Sequence, residues 1–374
     1  MKKFPWSIVV LLGLLLGCSS DTEPVETGGD TTNDRFSFTV IGEDNENLYQ
    51  FDFDSEITDR TPVNLSTELN IDGVFLTLRQ VDEVLSFFSF SRGNFSFALK
   101  NLNSEAVTLF PDFYTNTPER SIVWGTNSLE TIHFGFYAPS GSSNLALRSI
   151  DIPSFEGDDL ALEFNVTNLY QPLLVNDKLF ITYRTAGGQF KVATYDIATK
   201  NLIGTLDFAD FSPSLFIDDS QNLAVIKSNV GTEAQLELYD FDSLELLDSR
   251  PLGFTQFFDP GELDAELIDG KLYYSAAYAQ PSPVTFGPAI FDTETGTNDL
   301  LGFIDSYSSV QTNLQTNLTL TAQGYSAAQN LFFIGFVDSN SATFDAGGVM
   351  VIAADGTLLD TIEVPFAPIY FVKD

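Results

Sequence analysis

Leu238-Tyr239-Asp240-Phe241-Asp242-Ser243 is a short apolar run that ends on an aspartate and a small polar residue, and the same cadence returns along the whole chain. Close copies are Tyr49-Gln50-Phe51-Asp52-Phe53-Asp54-Ser55, Leu147-Arg148-Ser149-Ile150-Asp151-Ile152, Val192-Ala193-Thr194-Tyr195-Asp196-Ile197 and Ile290-Phe291-Asp292-Thr293-Glu294-Thr295. Looser ones are Phe97-Ala98-Leu99-Lys100-Asn101-Leu102-Asn103 and Val349-Met350-Val351-Ile352-Ala353-Ala354-Asp355-Gly356. The seven copies stand mostly 44 to 52 residues apart, with the last interval near 60. Runs of β-branched and aromatic residues of this length are strands, and an Asp at the end of such a run accepts a backbone hydrogen bond in a tight turn. Each copy therefore reads as the edge of a hairpin.

Upstream of six copies lies another apolar run: Val84-Leu85-Ser86-Phe87-Phe88, Thr131-Ile132-His133-Phe134, Lys178-Leu179-Phe180-Ile181, Asn222-Leu223-Ala224-Val225, Lys271-Leu272-Tyr273-Tyr274 and Asn330-Leu331-Phe332-Phe333. Polar turns such as Val175-Asn176-Asp177 precede most of them. A unit of four short antiparallel strands, A to D, repeated at a period in the forties predicts an all-β, seven-bladed β-propeller. The first unit has only three strands, at 36–41, 48–53 and about 61–65, while Ile369-Tyr370-Phe371-Val372 is left over at the end. Placing that last strand as strand A of the first blade closes the ring and removes an unpaired sheet edge. An α-solenoid would need helical periodicity, of which almost none is seen.

Composition narrows function further. The 374 residues carry 52 Asp plus Glu against 17 Lys plus Arg, a net charge of −35. Polyanion binding rests on clustered cations, so no nucleic acid is expected as a partner. One Cys and one His exclude an internal disulfide framework, a Cys-rich zinc site and any His cluster, so neither a metal nor a cofactor is expected. Hydrophobic residues at 44%, including 35 Phe and 13 Tyr, supply a sizeable core.

The N-terminus carries an address. Met1-Lys2-Lys3, a mostly apolar run over 4–16, and Leu15-Leu16-Gly17-Cys18 have the layout of a signal peptide, 1–17, too short for a membrane span. Leu15-Leu16-Gly17-Cys18 resembles the lipobox of bacterial lipoproteins, which implies cleavage before Cys18 and lipidation of that residue. Two or three acyl chains, at about 0.8 kcal/mol per buried CH₂, anchor firmly. Losing Lys2 and Lys3 takes the net charge from −35 to −37. Residues 18–34 are expected to be the lipidated Cys and a flexible acidic tether, whose sixteen residues from Ser19 reach on the order of 20 Å. Asp21, Glu23 and Glu26 soon after the Cys resemble the export signal of Bacteroidota surface lipoproteins. That resemblance implies the outer membrane and the cell surface, with the periplasmic face as the alternative. The body, 35–374, resembles the broad superfamily of bacterial propellers with Tyr-Asp or Phe-Asp hairpins, a likeness of fold that carries no catalytic residues with it.

Site readings follow from the repeat. The recurring Asp is expected to serve the turn, because calcium loops need several oxygen ligands within about a dozen residues and no stretch supplies them. His133 lacks a neighbouring carboxylate and nucleophile and is expected to be a structural residue. Ligands of propellers meet the rim formed by the B–C turns and D–A connections. On that rim the D–A connection Gly253-Phe254-Thr255-Gln256-Phe257-Phe258-Asp259-Pro260 is long and aromatic, so Phe254, Phe257 and Phe258 are candidate contacts for a sugar or peptide, or else fold back to plug the channel or pack between blades. Arg92, Arg184 and Lys227 at the ends of strands B, with Arg120 in a D–A connection, are candidates for a local anion site. The expectation is an envelope-anchored binding module for a glycan, a peptide or an outer-membrane partner protein. The alternatives are a hydrolase or lactonase working with channel carboxylates, and a structural subunit of an envelope complex.

Overall fold

The computed structural model describes residues 35–57, 61–71, 75–115, 117–340 and 346–373. Cys18, the expected signal peptide at 1–17 and the expected tether at 18–34 lie outside the described residues.

Among the described residues the strands form seven antiparallel sheets arranged as a ring. Blade 1 is built from Ala367–Phe371 as strand A, then Ser37–Glu43, Leu48–Asp54 and Val63–Asn64. Blade 2 runs from Phe75–Val81 to Val107–Thr115, blade 3 from Ser121–Asn127 to Gly157–Glu163, and blade 4 from Val166–Leu169 to Asn201–Asp207. Blade 5 runs from Ser212–Ile217 to Leu246–Pro251, blade 6 from Glu266–Ile268 to Thr297–Asp299, and blade 7 from Leu318–Ser326 to Leu358–Val364. The closing strand pairs as expected, with Val40 opposite Phe371 and Ile41 opposite Tyr370.

The core is distributed, with one apolar cluster at each blade interface. Side chains alternate across a strand, and both faces of a blade are covered by its neighbours, so the middle strands bury nearly every residue. In blade 4, Leu179 and Ile181 pack toward blade 3, while Phe180 between them packs toward blade 5. Leu85 and Phe87 face blade 1, and Phe88 faces blade 3. This explains why the B-strand runs read as continuous rather than alternating apolar sequence.

The recurring acid serves the C–D turn. Asp240 Oδ1 accepts the backbone N–H groups of Asp242 at 3.1 Å and Ser243 at 2.7 Å, and Asp292 does the same for Glu294 and Thr295. Asp196 caps Thr199, Asp355 caps Thr357, and Asn101 in the looser copy caps Ser104. Hydrogen bonds from Thr199 hold Asp196 below the ordinary carboxylate range, and those from Ser243 do so for Asp240.

Two elements depart from the all-strand expectation. The strand expected at about 61–65 is only Val63–Asn64, because Asn64 caps the short helix Leu65–Glu68 through the Thr67 N–H, and a longer helix follows blade 6. The connection between blades 6 and 7 contains the helix Phe303–Leu314, which buries Phe303, Tyr307 and Val310 against blade 7. Their spacing of four and three residues is the helical one, and Tyr307 donates to the Leu318 carbonyl at 2.7 Å. These twelve residues account for the long last interval of the repeat.

Trp124, 1% exposed, illustrates how a blade interface is held. Its indole belongs to the cluster between blades 3 and 4, against a bare Gly135 whose added Cβ would lie 2.5 Å from the ring. Trp124→Ala should cost about 3–5 kcal/mol in urea unfolding, the range for a buried aromatic cavity. A loss below about 1 kcal/mol would mean that this interface does not carry the packing described.

Candidate functional site

The residues singled out on the B–C and D–A rim are placed one blade at a time. Arg92 sits exposed in the two-residue turn of blade 2, with φ near +51°. Arg120 donates to Asp159, which Arg148 also reaches at 2.7 Å, and its guanidinium lies 5.6 Å from the Phe136 ring. Arg184 donates to the Gly188 carbonyl at 3.2 Å and covers Phe190. Lys227 pairs with Glu237 at 2.5 Å. No two of the four share a partner. Phe254 stacks on Tyr274 with centroids 5.4 Å apart, and Phe258 is buried between blades 5 and 6, while Phe257 is 46% exposed.

The long connection 253–264 does more than pack. Phe258 and Asp259 offer their carbonyls to Ser212 Oγ at 2.8 Å and Ser214 Oγ at 2.7 Å, and the Phe258 N–H donates to Ser228 Oγ at 2.9 Å. Gly261–Glu262 then runs parallel to strand A of blade 5, inside the ring. Gly261 adopts φ near +104°, and a Cβ there would lie 2.4 Å from the Gln171 carbonyl of blade 4. Only glycine fits both the conformation and the approach.

That inserted segment delivers Glu262 and Asp264 to the central axis, where a cavity of about 840 Å³ opens. It lies on the rim of the A–B and C–D turns, opposite the rim favoured from the repeat. Arg79, on strand A of blade 2, spans it as a crossbar: Nη2 donates to Gln171 Oε1 of blade 4, and Nη1 lies 3.3 Å from Glu262 Oε2. Its side chain is only 15% exposed, and burial pulls its pKa below the ordinary arginine value while Glu262 works against that fall.

A second set of contacts comes from the closing strand. Tyr370 OH donates to Gln80 Oε1 at 3.0 Å, the Lys373 N–H donates to the same oxygen at 2.8 Å, and Gln80 Nε2 donates to the Lys373 carbonyl at 2.8 Å. Lys373 Nζ meets Asp264 at 3.0 Å. Burial opposes the Lys373 charge, but Asp264 and Glu262 outweigh it and hold its pKa above the usual lysine range. Burial, with nearby carboxylates, pushes Tyr370 up to about 12. Asp52, also in the lining, accepts from Thr39 Oγ1 at 2.6 Å and from Gln50 Nε2 at 2.9 Å. Asp82 and Glu83 stand exposed at the edge. Gln80 and Asp82 also line an adjoining depression of about 790 Å³ over blades 2 to 4. The basin thus combines ion-paired floor, amide groups and exposed acids. Such a surface can bind a polar ligand through many hydrogen bonds.

Among the described residues no group of three or more His, Cys, Asp or Glu side chains is placed to hold a metal ion. The outer strands of blades 4 and 5 expose Leu202, Ile203, Leu246 and Leu247, the last two at 54% and 56%.

No protein-family model matches the chain, and no curated protein sequence matches it either. Solved structures are similar in fold. A Bacteroides fragilis protein provisionally named 6-phosphogluconolactonase aligns with a TM-score of 0.52 at 14% identity, over 91% of this chain and 99% of that one. A prolyl endopeptidase aligns with a TM-score of 0.51 at 10% identity over 78% of this chain, which spans only 43% of the endopeptidase. At these identities the likeness is one of propeller fold.

His133 is wholly buried on strand B of blade 3, its Nδ1 2.9 Å from Ser149 Oγ and its ring edge-on to Tyr195. Burial, with a smaller contribution from Lys200, pushes its pKa down to about 3. Between that value and the roughly 6.5 of an unfolded chain, the unfolded state binds the extra proton, so the native state loses stability as pH falls. From about pH 7.5 to about pH 5 this one group should remove about 2 kcal/mol. Urea unfolding of His133→Asn should show a pH dependence shallower by that amount than the unsubstituted chain. Parallel curves would contradict the buried neutral imidazole.

Proposed function

We propose that this chain is an envelope-anchored lipoprotein whose propeller is a binding module, with the basin at the A–B rim as its recognition site. The observation that carries the reading is the convergence of blades 1, 2 and 4 and the blade 5–6 connection on one cavity of about 840 Å³, within the range of about 300–1,000 Å³ of ligand sites. Residues from separate blades meet there only because the ring is closed, so the site belongs to the fold and not to one loop. Its location outside the cell rests on the Leu15-Leu16-Gly17-Cys18 lipobox and the acidic residues after it.

Lactone hydrolysis, suggested by the name of the Bacteroides fragilis neighbour, ranks lower. A phosphorylated lactone needs free cations, whereas Arg79 and Lys373 are already ion-paired and acids line the edge. A role as a subunit of an envelope complex is favoured by the exposed Leu202, Ile203, Leu246 and Leu247 on the outer flank.

Cys18→Ser should move the protein from the membrane fraction to the soluble fraction. The lipidated protein, pulled down from its native membrane, should bring a ligand or partner whose retention falls with Asp264→Asn and Lys373→Gln. An empty pull-down together with turnover of 6-phosphogluconolactone by the purified chain would overturn the binding reading in favour of the enzyme.

A further inference from the structure

The basin also carries a signature of ligand class, which rests on its being the recognition site. Its cations do not stand free. Arg79 is paired with Glu262 and Lys373 with Asp264, and Asp52 is engaged by Thr39 and Gln50. The floor is therefore balanced in charge. An anionic ligand would have to displace Glu262 or Asp264 from its partner and would face Asp82 and Glu83 at the edge. A cationic ligand finds exposed carboxylates at Asp82 and Glu83 in the basin and at Glu130 and Asp177 in the adjoining depression, all standing in solvent where an ion pair contributes little. The floor instead offers donors and acceptors side by side: guanidinium beside carboxylate, ammonium beside carboxylate, and the Gln80 and Gln171 amides. Leu78, Leu102 and Val372 supply apolar walls between these polar groups.

Neighbouring hydroxyl groups are the chemistry that matches such a floor, since each hydroxyl donates to a carboxylate while accepting from a guanidinium or ammonium. The C–H faces of a sugar ring match the apolar walls. We propose that the basin binds a neutral, hydroxyl-rich glycan segment. The adjoining depression, sharing Gln80 and Asp82, extends the surface so that a chain of several rings continues over blades 2 to 4.

The test is isothermal titration of the full-length protein with probes of equal length: maltohexaose, cellohexaose and mannohexaose as neutral chains, hexagalacturonate as an acid, chitosan hexamer as an amine, and hexalysine as a basic peptide. At least one neutral chain should bind, about tenfold or more tighter than the charged probes. Asp264→Asn and Lys373→Gln, each with an unchanged melting temperature, should weaken that binding about tenfold, as expected when a charged hydrogen-bonding group is lost. Failure of every neutral chain overturns the inference. If hexalysine or hexagalacturonate binds instead and the two basin variants abolish it, the basin stands and the ligand class is wrong. If a neutral chain binds unaffected by those variants but is lost in Arg92→Ala with Arg184→Ala, the basin itself is the wrong site.

Discussion

Val40 faces Phe371 and Ile41 faces Tyr370 across a pairing that joins the two ends of the body, and the geometry of the lumen hangs on that contact. An unclosed array of blades would leave Ser37–Glu43 as an open edge and let blades 1 and 7 part. The cluster of Phe38, Phe333 and Phe371 seals that junction from the side, with the Phe38 and Phe333 rings 5.0 Å apart. Closure also fixes distances across the axis. Arg79 of blade 2 can reach Gln171 of blade 4 and Glu262 of the blade 5–6 connection only when the ring has a set diameter. The same closing strand brings Tyr370 and Lys373 to Gln80, so one set of backbone pairs both completes the fold and furnishes part of the basin.

The fold was legible because it repeats. The blades restate the same local chemistry, an apolar strand ending in most of them on an Asp or Asn that caps the next turn, and seven restatements make the period visible above the noise of any one copy. The leftover C-terminal strand was legible for a complementary reason, since the first unit lacked one strand and the last had one to spare. The helix Phe303–Leu314 was less so. Its five apolar positions sit in a serine- and threonine-bearing stretch where a connection was due, and the packing of Phe303 and Tyr307 against blade 7 decides its conformation.

The candidate site was legible only in part. The connection 253–264 stood out by length and aromatic content, and Phe258 is buried in the cluster between blades 5 and 6. What composition could not convey is that the segment after Pro260 turns into the ring and carries Glu262 and Asp264 to the axis. That turn depends on Gly261 and on three serines of blade 5, whose partners are backbone carbonyl and N–H groups with no sequence signature. Arg79 did leave a trace: Thr-Leu-Arg-Gln-Val over residues 77–81 puts a guanidinium on a strand that lines the channel. Scarce cations at strand B ends drew attention to the opposite rim, where Arg120 and Lys227 turn out to serve carboxylates of their own blades.

Ring closure is thus the premise of both the core and the basin, and amide hydrogen exchange resolved along the chain tests it most directly. The amides of Ala367–Phe371 should exchange as slowly as those of their partner Ser37–Glu43, both limited by opening of the whole ring. Fast exchange at Ala367–Phe371 beside a protected Ser37–Glu43 would mean that the ring is not held shut by this pairing and that the basin is not a fixed site.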